Sequence, residues 1–150
     1  MTTATQPISL DIERTRELLA QALADRGPDY VYRSLEGTGC LYWHDPRDPD
    51  HRPDQYSNPD TYDDRGAQGQ PGCLVGYVLH AAGVPGTELA RREQRDALTL
   101  LKELTEAGVV TADQDTRTLL LCAQTQQDEG AEWGQAIRDA EQRLAAHHVA

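Results

Sequence analysis

One window constrains the fold more than any other: PGCLVGYVLHAAGV, from Pro71 to Val84. It is the least polar long stretch in a chain of net charge −11. The spacing predicts a short helix from Cys73 to Ala82, apolar all round and therefore buried. Gly83 ends it and Pro85 prevents its continuation. At 150 residues the chain suits a single domain, 1–150. With 38% hydrophobic residues, no Phe and two Trp, it can build one core, mainly from Leu, Val, Ala and Tyr.

The other elements are arranged around that helix. Residues 1–8 read as a loose tail. Ser9 is a suitable N-cap, with Asp11 and Glu13 in the first turn, and Ile12, Thr15, Leu19, Ala22 and Leu23 recur at helical spacing. Gly27-Pro28 closes this helix, about 10–26. Tyr30-Val31-Tyr32-Arg33 and Cys40-Leu41-Tyr42-Trp43-His44 are rich in strand-favouring residues and predict a hairpin across SLEGTG. A helix over about 88–107, capped by Thr87, has Ala90, Gln94, Ala97, Leu98, Leu101 and Leu104 on one stripe, with Gly108 after its end. Thr111 and Gln114 fit a capping box for a helix running to about Glu129. Gly130 breaks it, and Trp133, Ala136, Ile137, Ala140 and Leu144 mark a final amphipathic helix, about 131–146. The expected fold is α+β: a small helical domain of about five helices, one β-hairpin and a long acidic Pro/Asp loop at 45–71.

That loop changes the character of the chain. DPRDPDHRPDQYSNPDTYDDRGAQGQ holds seven Asp, four Pro and no aliphatic residue larger than Ala. It cannot bury enough surface to offset its ordering entropy. A loop this long is disordered or functional. In the functional reading Asp45, Asp48, Asp50, Asp54, Asp60, Asp63 and Asp64 form an acidic docking segment in which Tyr56 and Tyr62 act as anchors.

The charge excludes some functions. Non-specific nucleic-acid binding rests on Lys and Arg neutralising phosphates, and here 14 basic residues face 25 acidic ones. Anionic membranes are disfavoured likewise, and a basic protein surface would be attracted. No run of about 18 apolar residues is present to span a membrane, and MTTATQPISL lacks the features of a secretory signal. Cys40, Cys73 and Cys122 are odd in number and far apart, which does not read as a disulfide framework and points to a reducing cytoplasm. Thirteen Arg beside one Lys, with much Ala, Gly and Asp, hints at a GC-rich genome such as that of an actinobacterium or its phage.

Four features bear on chemistry. Cys73 opens a helix, where the dipole favours thiolate. The window resembles the nucleophile helix of NlpC/P60-type cysteine peptidases, which also use a His on a following strand in a His-Val/Ile-Gly setting. No such segment follows here. His80 lies seven residues on, about 10 Å along the helix, which leaves His44 and His51. The competing role for Cys73 is a small buried hydrophobe. Second, Cys40, His44, Cys73 and His80 do not make a zinc set, because Cys40 and His44 on one strand stand about 13 Å apart. His147-His148 is an adventitious ligand at most. Third, Asp45, Asp48 and Asp50 lack the spacing and the closing Glu of a calcium loop. No metal and no cofactor is expected. Fourth, 97–123 is compatible with a degenerate winged helix, with Arg117–Cys122 as a wing strand. The near-balance of charge over 88–107 argues against DNA reading.

Together GCLVGYVLHAAGV (72–84) and AQTQQDEGAEWGQAIRDAE (123–141) resemble a group of small uncharacterised proteins of actinobacteria and their phages. The shared pattern is a Cys-Leu-Val-Gly helix followed by Ala-Gln-x-x-Gln-Asp-x-Gly-x-x-Trp-Gly-x-Ala. The resemblance covers about half the chain. It implies an α+β fold closed by the Trp133 helix and offers no catalytic residue to carry over. Gln124, Gln127 and Asp128 lie in the motif, where they cap helix ends or line a groove. The function expected is that of a non-enzymatic accessory protein, phage-encoded in one version, which binds another protein through an acidic surface as an inhibitor or DNA mimic. The alternatives are a cysteine-dependent enzyme at Cys73 and the degenerate winged-helix regulator. The Trp133 helix leaves a homo-oligomer open.

Overall fold

The computed structural model describes residues 6–32, 42–44, 70–92 and 95–148. In order these hold β1 (Ile8–Leu10), α1 (Ile12–Arg26), β2 (Trp43–His44), β3 (Gln70–Pro71) and α2 (Leu74–Ala82). There follow α3 (Gly86–Ala90), α4 (Ala97–Glu106), β4 (Val110–Ala112), α5 (Gln114–Asp128) and α6 (Trp133–His148). Among the described residues the fold is therefore mostly helical, with two small strand pairings, which fits α+β. No helix of the described residues is long and apolar enough to cross a membrane.

Helix α2 is the centre. Leu74, Val75, Val78 and Leu79 are fully buried, and Cys73 stands at its N-cap. Around it pack Leu18, Leu19 and Ala22 of α1, Leu100, Leu101 and Leu104 of α4, Leu119, Leu120 and Ala123 of α5, and Trp133, Ala140 and Leu144 of α6. Gly27, Gly83 and Gly130 end helices where the sequence places them.

Three helices begin in the same way. The carboxylates of Asp11, Asp96 and Asp113 accept from the backbone N–H groups of Arg14, Thr99 and Thr116 at 2.7, 2.7 and 2.8 Å. Each such cap stabilises its helix by about 1 kcal/mol. The hydrogen bond from Thr99 holds the Asp96 carboxyl below its ordinary range. Asp11 and Asp113 thus displace the expected caps Ser9 and Thr111, which lie in strands. β1 pairs in parallel with β4, Ser9 opposite Thr111. Both strands turn their flanking residues inward and their central hydroxyl outward. Residues 8–10 therefore belong to the framework rather than to a tail. A parallel pair between segments 100 residues apart has no local signal.

Three further expectations are corrected. The helix over 88–107 is two helices, α3 and α4, because Asp96 starts the second one afresh; Leu98 is exposed, and Leu100 lines the core in its place. Among the described residues β2 pairs antiparallel with β3, Trp43 opposite Pro71, where the sequence predicted a pairing with the segment that starts at Tyr30. Tyr30 and Tyr32 are in no strand, and their aromatic character serves packing against helices instead. Arg117–Cys122 lies within α5, so the wing strand of the winged-helix alternative is absent and that reading falls. Trp133 is fully buried in its own domain, so this face of α6 is already covered.

Candidate functional site

Cys73 is fully buried and disulfide-bonded, whereas Cys122 is a free cysteine. A disulfide sulfur carries no thiolate, so Cys73 in this state offers neither a nucleophile nor a metal ligand. The cytoplasmic expectation drawn from the cysteine count loses its basis as well. His80 is exposed, and its Nδ1 faces the Val84 carbonyl at 3.3 Å. No group of three or more metal-ligating side chains occurs among the described residues.

The structure instead joins the two sequence motifs into one network. A buried helix N-terminus exposes backbone N–H groups with no partner inside the helix. At α2 the partners come from α5. The Gln127 side-chain Oε1 accepts from the Leu74 N–H at 2.8 Å, and the Gln124 Oε1 accepts from the Val75 N–H at 3.1 Å. Both glutamines are buried. Their Nε2 groups donate to the same Asp128 Oδ1, at 3.2 Å from Gln124 and 2.8 Å from Gln127. The Trp133 indole N–H donates to Gln127 Oε1 at 3.3 Å. Asp128 fixes which end of each amide faces the helix: a carboxylate only accepts, so both NH₂ groups turn to it and both carbonyls turn to α2.

The small residues of the motifs allow close approach. A Cβ on Gly76 would meet the Tyr42 Cα at 2.9 Å, and one on Gly134 would meet Pro28 Cβ and O at 3.0 Å. The same approach caps α6: the Trp133 N–H donates to the Tyr30 carbonyl at 2.8 Å and the Gly134 N–H to the Pro28 carbonyl at 2.9 Å. Gln124, Gln127, Asp128, Trp133 and Gly134, with Leu74, Val75 and Gly76, thus hold three segments together. Of the two roles open to the glutamines, helix capping is the one realised.

Arg26, the last residue of α1, completes the assembly. Its guanidinium lies 5.3 Å from the Tyr30 ring centroid, 5.3 Å from that of Tyr77 and 5.1 Å from that of Trp133. Its Nη1 donates to the Gly72 carbonyl at 2.6 Å. Tyr77 donates its hydroxyl to Asp25 Oδ2 at 3.1 Å. Three aromatic rings around a cation form the kind of cage that elsewhere recognises quaternary ammonium groups. Here the chain fills it with its own arginine. Nothing in the sequence singles out Arg26 beyond its favourable place in the last turn of a helix.

Asp128 sits at the solvent edge of the network. Desolvation pushes its carboxyl above the ordinary range, against the hydrogen bonds from Gln127 and Gln124. A folded-state pKa above the unfolded one favours the protonated form in the fold. Its contribution is fully present below the ordinary carboxylate range and is lost as pH rises through the raised pKa. Asp128→Asn keeps an acceptor for both amides without the charge. It is expected to match or exceed the parent in stability at neutral pH, and the difference should shrink as pH falls toward about 4. Asp128→Ala removes the acceptor that both Nε2 groups share and should cost about 2 kcal/mol. Urea unfolding of the three proteins at several pH values checks both. A loss in the Asn variant equal to that in Ala would contradict this role.

An open hollow of about 450 Å³ is lined by Arg91, Arg92, Arg95, Glu103, Glu106 and Ala107. Two of its arginines are engaged: Arg92 pairs with Glu88 at 2.7 Å, and Arg95 pairs with Glu103 at 3.2 Å. The docking candidates Asp45, Asp48, Asp50, Asp54, Tyr56, Asp60, Tyr62, Asp63 and Asp64 lie outside the described residues, as do Cys40 and His51. Comparison with protein-family models, with curated proteins and with solved structures found no match.

Proposed function

We propose that the chain is a non-enzymatic accessory protein that binds another protein, one with a basic surface, through the acidic segment 45–69. The observation that carries this reading is the β2–β3 pairing, which sets His44 and Gln70, the residues that flank that segment, opposite each other on the framework. The pairing continues inward, with the Gly72 N–H donating to the Tyr42 carbonyl at 3.2 Å. Many framework acids, in contrast, already have partners. Asp11, Asp96 and Asp113 cap helices, and Glu17, Glu88, Glu103 and Glu141 pair with arginines. This favours an inhibitor-type docking segment over a DNA mimic built on the framework surface. A phage origin for such an accessory protein belongs to the same proposal.

The test replaces Asp45, Asp48, Asp50, Asp54, Asp60, Asp63 and Asp64 by Asn and compares partner capture with that of the natural chain. The expected partner is basic, is released by raised salt and is lost on the substituted chain, with thermal stability unchanged. Equal capture by both chains would overturn the proposal.

A further inference from the structure

We infer that the aromatic cage around Arg26 is a receptor for an arginine side chain of a partner protein, and that Arg26 occupies it in the free chain. For the source of that arginine the inference rests on the basic partner proposed above, but the site itself owes nothing to segment 45–69. The walls of the cage are fixed without help from their occupant. The Trp133 backbone N–H donates to the Tyr30 carbonyl at 2.8 Å, and its indole N–H donates to Gln127 Oε1 at 3.3 Å. Tyr77 is buried within α2 and donates its hydroxyl to Asp25 at 3.1 Å. The rings therefore keep their places when the guanidinium leaves, and a preformed site spares its ligand an ordering cost. Arg26 and Tyr30 are only half-buried, so the cage reaches the surface. Arg26 is the last residue of α1, and rotation of its own side chain empties the cage.

The cage also selects among cations. Aromatic faces attract any of them. The carbonyl of buried Gly72 adds a second demand, because it accepts from Arg26 Nη1 at 2.6 Å. A quaternary ammonium has no N–H to give and would leave that acceptor unpaired. A lysine ammonium can donate, but it is compact and strongly hydrated. A guanidinium is planar, weakly hydrated, stacks on rings and keeps an N–H for the carbonyl. The approach is acidic. Asp25, Asp29 and Glu132 are exposed and adjoin Arg26, Tyr30 and Trp133 in sequence, which favours the arrival of a cation. Arg138, which lies beside Gly134, donates to Gln135.

The test titrates the nitrogen-15-labelled full chain with N-acetyl-arginine amide at constant ionic strength. The Trp133 indole N–H resonance is followed, assigned by its absence from Trp133→Phe. It should shift and saturate in the natural chain. Arg26→Ala should bind the probe about tenfold more tightly, because no occupant has to be displaced first. Arg26→Met, which keeps an apolar stem, takes its place if the Ala variant does not stay folded. Tetramethylammonium and N-acetyl-lysine amide should bind several-fold more weakly, and Tyr30→Leu should lose binding. The chain with seven Asn in 45–69 should bind the probe as the natural chain does, so failure of that segment and failure of the cage are told apart. No saturable shift, equal affinity with and without Arg26, or tetramethylammonium matching the arginine probe would each overturn the inference. So would undiminished binding to Tyr30→Leu. Binding confined to the Arg26 variants would show that Arg26 is a fixed part of the fold, and would overturn it too.

Discussion

Trp133→Ala is expected to cost about 4 kcal/mol, a large part of the stability of a domain this size. The side chain is fully buried and meets Tyr30, Tyr77, Arg26 and Gln127 at once. Tyr30 stands edge-on with ring centroids 4.6 Å apart, and Tyr77 does so at 6.2 Å. The Arg26 guanidinium lies over its ring. Removing the indole leaves a cavity, opens one wall of the cage and unpairs an arginine from its best ring. Trp133→Phe keeps most of the ring volume and loses only the N–H to Gln127, so about 1 kcal/mol is expected. Chemical denaturation followed by circular dichroism separates the two, because fluorescence would be changed by the substitution itself. A small loss in the Ala variant would mean that α6 can detach from α1 and α2 without consequence, contrary to its place in the core.

The same residues show what sequence reasoning could reach. The Cys73 N-cap, the glycine at the end of α2 and the apolar face of α6 are local signals, carried by neighbouring residues, and the structure holds all three. Ser9 and Thr111 misled because serine and threonine are good caps. Their strands are specified only by each other, across 100 residues of chain. β2 found its partner across the acidic segment for the same reason. At the candidate site, the spacing of Gln124, Gln127, Asp128 and Trp133 was visible. The amides they would cap were not, because a buried helix start announces no partner. That Cys73 is disulfide-bonded was hidden by the odd count of cysteines. Arg26 was missed because its rings come from residues 30, 77 and 133, which only folding assembles.

Gln127→Ala should be the second most damaging substitution, at about 3 kcal/mol, and its pattern of coupling is as informative as its size. It strands two buried donors, the Leu74 N–H and the Trp133 indole N–H, each at a cost of about 1–2 kcal/mol. Gln124→Ala strands the Val75 N–H, one backbone donor where Gln127→Ala strands two donors, and should cost roughly half as much. Because Asp128 acts on α2 only by holding the two amides, removing Gln127 removes part of what Asp128 does. The double variant Gln127→Ala, Asp128→Ala should therefore lose less than the sum of the two single losses, by about 1 kcal/mol. Lys102 is exposed on α4 whereas Gln127 is buried, so Lys102→Ala combined with Gln127→Ala should be additive and serves as the control. Urea denaturation of the singles and doubles measures the cycle. Strict additivity between Gln127 and Asp128 would show two separate hydrogen bonds where the geometry describes one network. A Gln127→Ala loss no larger than that of Gln124→Ala would show that the Trp133 bond contributes nothing.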